Sequence, residues 1–302
     1  MRVRMAALST SAFWSLLKAS AAAWKKHNAS RFGAALGFYT IFSVSPLAVI
    51  GVAIAGSVFG AETARAELLE QIRGLAGSAG ADAVEAVMKS AAGSGKGVAA
   101  TVIAAATLII GATTVFAELQ DALNTIWEVK PKPGKGIVIF LKKRLLSFAI
   151  VLGIGFLLLV SLVMSASLSA FSHYFTGGGP ATGHGWSVAY GMVSFMIITL
   201  LFAMIYKILP DMKIAWRDVW LGAVITAALF TAGKYLVGLY LGQSSVISAY
   251  GAAGSLVVLL LWVYYSAQIV FFGAEFTRAY TYQREPRVVP EPEAMRTKSP
   301  AP

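Results

Sequence analysis

Few side chains in this sequence have the type and spacing that nucleophilic, metal or acid–base chemistry requires. The chain has no cysteine, which excludes disulfides, thiolate nucleophiles and cysteine-bound metals. Its three histidines, His27, His173 and His184, have no second ligand at metal-site spacing. Residues 93–97 (GSGKG) lack two positions of a phosphate-binding P-loop. We therefore expect no enzyme, no cofactor and no metal site.

Two residues inside apolar stretches are candidates for function. Pro46 removes a backbone donor and predicts a kink; kinked helices line paths in transporters, although many structural helices also carry Pro. Lys234 is the one charged residue well inside such a stretch. Its ammonium lines a substrate path, binds a partner inside the bundle, or snorkels to the headgroups.

A second group of candidates surrounds a short connection after one apolar stretch. Pro210 ends that stretch, and we expect an ordered turn up to Arg217. Trp216 suits the headgroup level. Arg217 is expected to pair with Asp121, Glu118 or Glu275. The other reading of Glu275 is a solvated carboxylate at a helix end.

The elements that position these residues are apolar helices. The chain is 57% hydrophobic and 13% charged, with a mean hydropathy of +0.71. About 20 apolar residues cross a bilayer as a helix. Six uncharged stretches predict an all-α integral membrane protein with a six-span domain over residues 33–275. The spans are approximately 33–59, 98–117, 145–171, 188–206, 219–241 and 246–274.

The flanking segments and the charges predict the orientation. Most of the 25 Lys and Arg residues precede the first span, follow the second, follow the fourth, or lie in the tail. The positive-inside rule then places both termini in the cytoplasm. Residues 1–32 predict a cytoplasmic N-terminus with an amphipathic interfacial helix, and residues 60–97 predict two short extracytoplasmic helices. Residues 276–302, rich in Pro and charge, predict a disordered tail.

Several segments share the pattern of one known family: residues 33–46 (GAALGFYTIFSVSP), 122–127 (ALNTIW), 209–218 (LPDMKIAWRD), 222–223 (GA), 234–235 (KY), 250–254 (YGAAG), 262–264 (WVY) and 272–275 (FGAE). Together they resemble the YihY/virulence factor BrkB family, formerly called ribonuclease BN-like. The resemblance covers roughly residues 10–280. It includes Asn124 after the second span, and Tyr250 and Gly251 near the start of the sixth.

The resemblance implies a bacterial inner-membrane protein of unsettled biochemistry. We expect a transporter or exporter, with lipid-like or amphipathic molecules as the candidate substrates; the alternative is a non-transport envelope scaffold. Ribonuclease activity is not expected, because no catalytic acid pair or RNA-binding domain is visible. The basic inner face suits membrane lipids with anionic headgroups, and no nucleic acid partner is expected. The substrate and the oligomeric state stay open.

Overall fold

A computed structural model gives the fold of the chain. It describes residues 10–41, 43, 52, 60–92, 98–131, 184–243, 254–284, 289–290 and 294–297. Most of these residues are helical. Pro46, Tyr250, Gly251, the predicted span 145–171 and most of the predicted span 33–59 lie outside the described residues.

The described residues form seven helices and two short strands. The helices are α1 (Thr10–Lys26), α2 (29–41), α3 (Ala61–Ala92), α4 (Val98–Ile126), α5 (His184–Ile208), α6 (Trp216–Gln243) and α7 (Gly254–Arg284); the strands are β1 (Val129–Pro131) and β2 (Ala294–Arg296).

Three helices of the described residues are long and apolar enough to cross a membrane. The crossing segments are Gly191–Ile208 in α5, Trp216–Val237 in α6 and Leu256–Arg284 in α7. They overlap the last three spans expected from the sequence. Helix α4 contains the segment predicted as the second span.

Helices α6 and α7 approach closely because each offers a glycine to the other. A Cβ at Gly222 would overlap Thr277, and a Cβ at Gly273 would overlap Thr226. Small residues at such crossings let two backbones come close together. Lipid tails are as apolar as the helix surfaces, so close packing rather than the hydrophobic effect holds two helices together in a membrane. The reciprocal pairs fix the register of the two helices, and therefore the height of the polar residues at the end of α7.

Helix α1 ends where Asn28 adopts a left-handed conformation, with φ of 54°. Asn tolerates this conformation better than most residues and ends helices in this way. The turn sends the chain into α2 and leaves His27 at the corner. Helix α1 packs on α7 through Phe13, whose ring centroid lies 6.0 Å from that of Phe276. Trp14 remains 59% exposed, as an interfacial anchor would be.

Residues 61–92 form one continuous helix of 32 residues, in place of the two short helices expected from the sequence. The reason is tertiary packing, which overrides the low helix propensity of the glycines in this segment. Buried side chains of α3, Val84 and Met88, join Val258 and Leu259 of α7 in one apolar cluster. Helix α3 therefore packs along the bundle as a single rod.

Described residues after position 275 form helix and strand, where the sequence predicted a disordered tail. Helix α7 continues to Arg284, and β2 pairs antiparallel with β1, placing Val129 opposite Arg296. The tail makes a second contact through a bridge between Pro290 and Met212, which lies in the connection between α5 and α6. The composition of the tail did not reveal these pairings, because both partner segments lie far away in the sequence.

Candidate functional site

A network of charged side chains lies where α7 ends and α1 turns into α2. The side chain of Glu275 is fully buried, and that of His27 is 8% exposed. Glu275 Oε1 lies 2.5 Å from His27 Nδ1. Glu275 is thus no solvated carboxylate at a helix end. Burial of a carboxylate without a partner is strongly unfavourable, so the imidazole is essential to its environment.

Glu128, in the turn after α4, connects this pair to the surface. Its Oε1 lies 3.4 Å from His27 Nε2, 3.2 Å from Lys26 Nζ and 3.0 Å from Arg278 Nη2. Burial raises the pKa of Glu128, but the charges of Arg278 and Lys26, the hydrogen bond from Lys26 and the contact with His27 together outweigh it, so the pKa lies below its ordinary value. Its side chain is 28% exposed, which gives the network contact with solvent.

The backbone of Glu128 is held in an unusual conformation. Its φ is 54°, a left-handed region that a residue with a Cβ rarely occupies. Its carbonyl oxygen accepts a hydrogen bond from the Thr297 N–H, at 2.9 Å. The tail strand and the end of α4 thus fix the backbone, while the side chain gathers three cationic or titratable partners.

Buried polar atoms of this region lack hydrogen-bond partners among the described residues. They are His27 Nε2, Glu275 Oε2, Arg278 Nε and both amide atoms of Gln268. Arg278 Nη1 is 3.8 Å from Glu275 Oε2, which is an electrostatic contact rather than a hydrogen bond. Residues 268, 275 and 278 share one face of α7, since seven residues make about two helical turns. This face is directed towards α1 and α2.

The glycines of α2 determine how closely that helix approaches the Gln268 face. A Cβ at Gly33 would overlap the Gln268 amide nitrogen, whereas a Cβ at Gly37 would meet Leu260 at 3.5 Å, an ordinary van der Waals contact. Gly33 therefore makes the room that the amide of Gln268 occupies. We call the set Gln268, Glu275, Arg278 and His27 the polar seam.

A second buried carboxylate at the same end of the bundle is fully paired. Asp218, at the start of α6 and 2% exposed, accepts a hydrogen bond of 2.6 Å from Arg284 Nη1. The guanidinium of Arg284 also lies 5.4 Å from the ring centroid of Tyr280. Among the described residues this pair, rather than Arg217 with Asp121, Glu118 or Glu275, joins the start of α6 to the rest of the bundle; Arg217 itself is exposed.

The predicted turn after α5 is well packed. Leu209, Met212 and Ile214 are buried, at 1–2% exposure. Pro210 is followed by Asp211, and Asn124 of α4 both donates to the Asp211 carboxylate and accepts from the Asp211 N–H, each at 2.8 Å.

Other polar groups complete the same turn. Gln120 donates to the second carboxylate oxygen of Asp211 at 3.2 Å. Lys207 Nζ lies 5.8 Å from the ring centroid of Trp216, which remains 49% exposed. The turn therefore joins α4, α5 and α6 through polar side chains.

Lys234 contacts the neighbouring helix α3. Its ammonium donates to the carbonyl oxygen of Gly74 in α3 at 2.9 Å and lies 5.4 Å from the ring centroid of Tyr235. No side chain at Gly74 shields that carbonyl. This contact ties α3 to the far half of α6, away from the polar seam.

Of the residues selected from the sequence, Asn124 binds Asp211, the residue after Pro210, and Trp216 lies beside Lys207 near the end of α5. Glu275 belongs to the polar seam, and Lys234 lies elsewhere. The sequence reasoning did not identify Glu128, Arg278 or Gln268. A signal was present: residues 268, 275 and 278 place polar side chains on one face of an apolar span.

Comparison with known proteins now identifies the chain at the level of its family. The family described as Virulence factor BrkB matches residues 20–298. The chain belongs to this family. Membership in the BrkB family confirms the resemblance drawn from the sequence segments. No solved structure matches the chain.

Relatives of the chain are membrane proteins by name. A UPF0761 membrane protein of Alcanivorax borkumensis is 28% identical over 87% of this chain and 59% of its own length. One from Pseudomonas aeruginosa is 29% identical over 80% and 56%. One from Actinobacillus pleuropneumoniae is 28% identical over 87% and 92%. The chain thus spans little more than half the length of the first two relatives. BrkB-family membership and the apolar helices together make it a membrane protein.

Proposed function

We propose that this BrkB-family chain is an inner-membrane transporter or exporter of lipid-like or amphipathic substrates. The observation that carries the proposal is the unpaired side-chain amide of Gln268. This amide lies within the crossing segment of α7, is buried, and has no partner for either polar atom among the described residues.

An amide in this position is costly for a protein that only needs a packed bundle. Burial of an unpaired amide costs roughly 1–3 kcal/mol by protein mutational data, and an apolar side chain of similar size would avoid that cost. Polar groups inside membrane spans mark paths for substrates or ions. A group without a fixed partner is suited to bind partners that come and go.

The location of Gln268 favours an amphipathic substrate. Gln268 is flanked along α7 mostly by apolar and aromatic residues, and a Cβ at Gly33 would meet both the Gln268 amide and the ring of Tyr264. A lipid-like molecule brings a hydrogen-bonding group to this depth while its chain stays in hydrocarbon. A fully polar solute would lose its hydration on all sides.

The orientation with both termini in the cytoplasm is part of the proposal. The network end of the bundle carries Lys26, Lys207, Arg278 and Arg284, and basic residues favour the cytoplasmic side. Reporter fusions at both termini and near residues 132 and 213 are expected to report inside, and those near residues 80 and 180 outside. A reversal in either set would overturn this orientation.

The test is lipid movement in liposomes that contain the purified full chain. The probe is a phospholipid with a fluorescent NBD headgroup, whose exposure is read by dithionite quenching. We expect flux above that of protein-free liposomes. Gln268→Leu and Gly33→Ala should reduce the flux, because one removes the amide and the other displaces it. Gly37→Ala is the matched control and should retain the flux.

The outcomes separate the alternatives. If the wild type moves no probe faster than protein-free liposomes, transport of lipid-like molecules is contradicted and an envelope scaffold takes its place. If Gly33→Ala and Gly37→Ala reduce flux equally, Gln268 is not the relevant group. The proposal includes no catalytic activity; cleavage of labelled RNA by the purified chain would oppose that part of it.

A further inference from the structure

The polar seam and the adjoining Glu128 contain two carboxylates that a single imidazole connects. Nδ1 of His27 lies 2.5 Å from Glu275 Oε1, and Nε2 lies 3.4 Å from Glu128 Oε1. The exposure of the side chains rises along the series, from 0% for Glu275 to 8% for His27 and 28% for Glu128. The series therefore leads from a sealed carboxylate to one in contact with solvent.

We propose that Glu275, His27 and Glu128 form a proton relay between the interior of the bundle and the aqueous phase at this end. A proton on Glu275 passes to His27 Nδ1: the O–H bond breaks, the N–H bond forms, and a carboxylate and an imidazolium remain. The imidazolium releases the proton on Nε2 to Glu128, which leaves neutral imidazole in its other tautomer. Glu128 exchanges the proton with water. Histidine is suited to this step because its two nitrogens exchange donor and acceptor roles.

The surrounding charges allow this relay to operate in either direction. Arg278 contacts both carboxylates, at 3.0 Å from Glu128 and 3.8 Å from Glu275, and Lys26 contacts Glu128. Two carboxylates and two fixed cations balance when His27 is neutral. A proton that enters the relay therefore adds one positive charge. Because Glu275, His27 and Glu128 can each hold that proton, the charge is not confined to one group.

The unpaired Oε2 of Glu275 and the unpaired amide of Gln268 mark where, in the described part of the chain, the relay receives protons from deeper in the bundle. Glu275 Oε2 accepts no hydrogen bond among the described residues, and Gln268 lies about 10 Å away along α7, at 1.5 Å per residue. Gln268 is the polar side chain that precedes Glu275 on this face of the helix. Its amide can hold a substrate group or a water molecule, but it cannot itself bind the proton. The terminal acceptor on this side is therefore Glu275.

Asp218 and Arg284 provide the matched control inside the same protein. Asp218 is also a buried carboxylate at this end of the bundle, with an ion pair of 2.6 Å. Its partner is an arginine, which keeps its proton at all ordinary pH values. The pair can stabilise the fold but cannot pass a proton. Comparison of Glu275 with Asp218 therefore distinguishes a relay from a purely structural ion pair.

The first experiment measures protonation of the purified full chain by infrared difference spectroscopy between about pH 5 and about pH 8, the range in which histidine titrates. A carbonyl band of a protonated carboxyl group is expected at the acidic end. Glu275→Gln should remove this band and Asp218→Asn should retain it. His27→Gln, which keeps a polar side chain at the corner, should move the pH at which the band appears. A spectrum in which Glu275→Gln changes nothing would overturn the relay.

The second experiment measures proton movement into liposomes driven by a potassium diffusion potential and read by an enclosed pH dye. Proton uptake should fall to that of protein-free liposomes in Glu275→Gln and His27→Gln, and stay at the wild-type rate in Asp218→Asn. Thermal unfolding of each variant checks the fold, and Glu275→Asp serves as a milder second change. Equal uptake by wild type and Glu275→Gln would also contradict the relay.

Coupling of the relay to transport rests on the proposed function, whereas the relay does not. If the infrared band behaves as expected but the NBD-lipid probe does not move, the relay stands and the proposed function fails. If the probe moves but the spectrum shows no Glu275 titration, transport stands and the relay fails.

Discussion

The crossing of α6 and α7 gives a prediction whose size follows from the structure. A Cβ at Gly222 would overlap the Thr277 hydroxyl and lie 2.9 Å from the Thr277 Cβ. Either the helices separate or Thr277 leaves its rotamer; overpacking of this kind costs about 1–3 kcal/mol. Alanine also favours a helix over glycine by about 1 kcal/mol, so the net loss for Gly222→Ala is smaller than the packing cost.

A matched substitution removes that offset. Gly191 lies in α5 with nothing within 4 Å of its Cβ position, so Gly191→Ala gains helix propensity without a steric cost. The difference between the two variants therefore measures packing alone, and we expect it to be about 1–3 kcal/mol. The assay is equilibrium unfolding of the purified protein in mixed micelles with a denaturing detergent.

A second change tests the cause of the loss. Thr277→Ala removes the hydroxyl and methyl groups that the new Cβ would meet. Stability of the double variant Gly222→Ala, Thr277→Ala should therefore exceed that of Gly222→Ala alone. If Gly222→Ala and Gly191→Ala differ by less than about 0.5 kcal/mol, the limit of additivity at independent sites, the close crossing is refuted.

Three further predictions concern polar contacts. Asn124→Ala leaves the partly buried N–H and carboxylate of Asp211 without this partner and should lower the free energy of unfolding by about 0.5–1.5 kcal/mol for each hydrogen bond lost; in the same assay, equal stability would contradict the role of Asn124. Lys234→Met should increase proteolysis within α3, because the contact with Gly74 is lost; an unchanged cleavage pattern would make Lys234 irrelevant to α3. The folded-state pKa of Glu128 is depressed, so its contribution is present above the ordinary carboxyl pKa and is lost as the pH falls through the lower folded value; acid unfolding should show this loss in the wild type and not in Glu128→Gln.

Local properties of the chain were predictable from the sequence, because the bilayer acts on each helix separately. Length and hydropathy located the segments of α5, α6 and α7. Pro210 correctly marked the end of α5, and the turn that follows is packed. These features depend on neighbouring residues alone, which a sequence presents directly.

Contacts between distant residues were not predictable in the same way. His27 and Glu275 are 248 positions apart, and nothing in either local segment indicates the other. Arg217 and Asp218 are adjacent and both charged, yet burial selects Asp218 for the ion pair with Arg284. Which of two neighbouring side chains faces the bundle depends on the rotation of α6, which the glycine crossing with α7 determines.

The conformation of Glu128 links the tail to the relay. A left-handed residue with a Cβ costs of order 1–3 kcal/mol and persists only where its surroundings hold it. Here the Thr297 N–H and the β1–β2 pairing hold the backbone, and Lys26, His27 and Arg278 hold the side chain. Glycine at this position would relieve the strain but would remove the carboxylate that meets solvent. The presence of a strained Glu where Gly would fit better therefore favours a role for its carboxylate beyond stability.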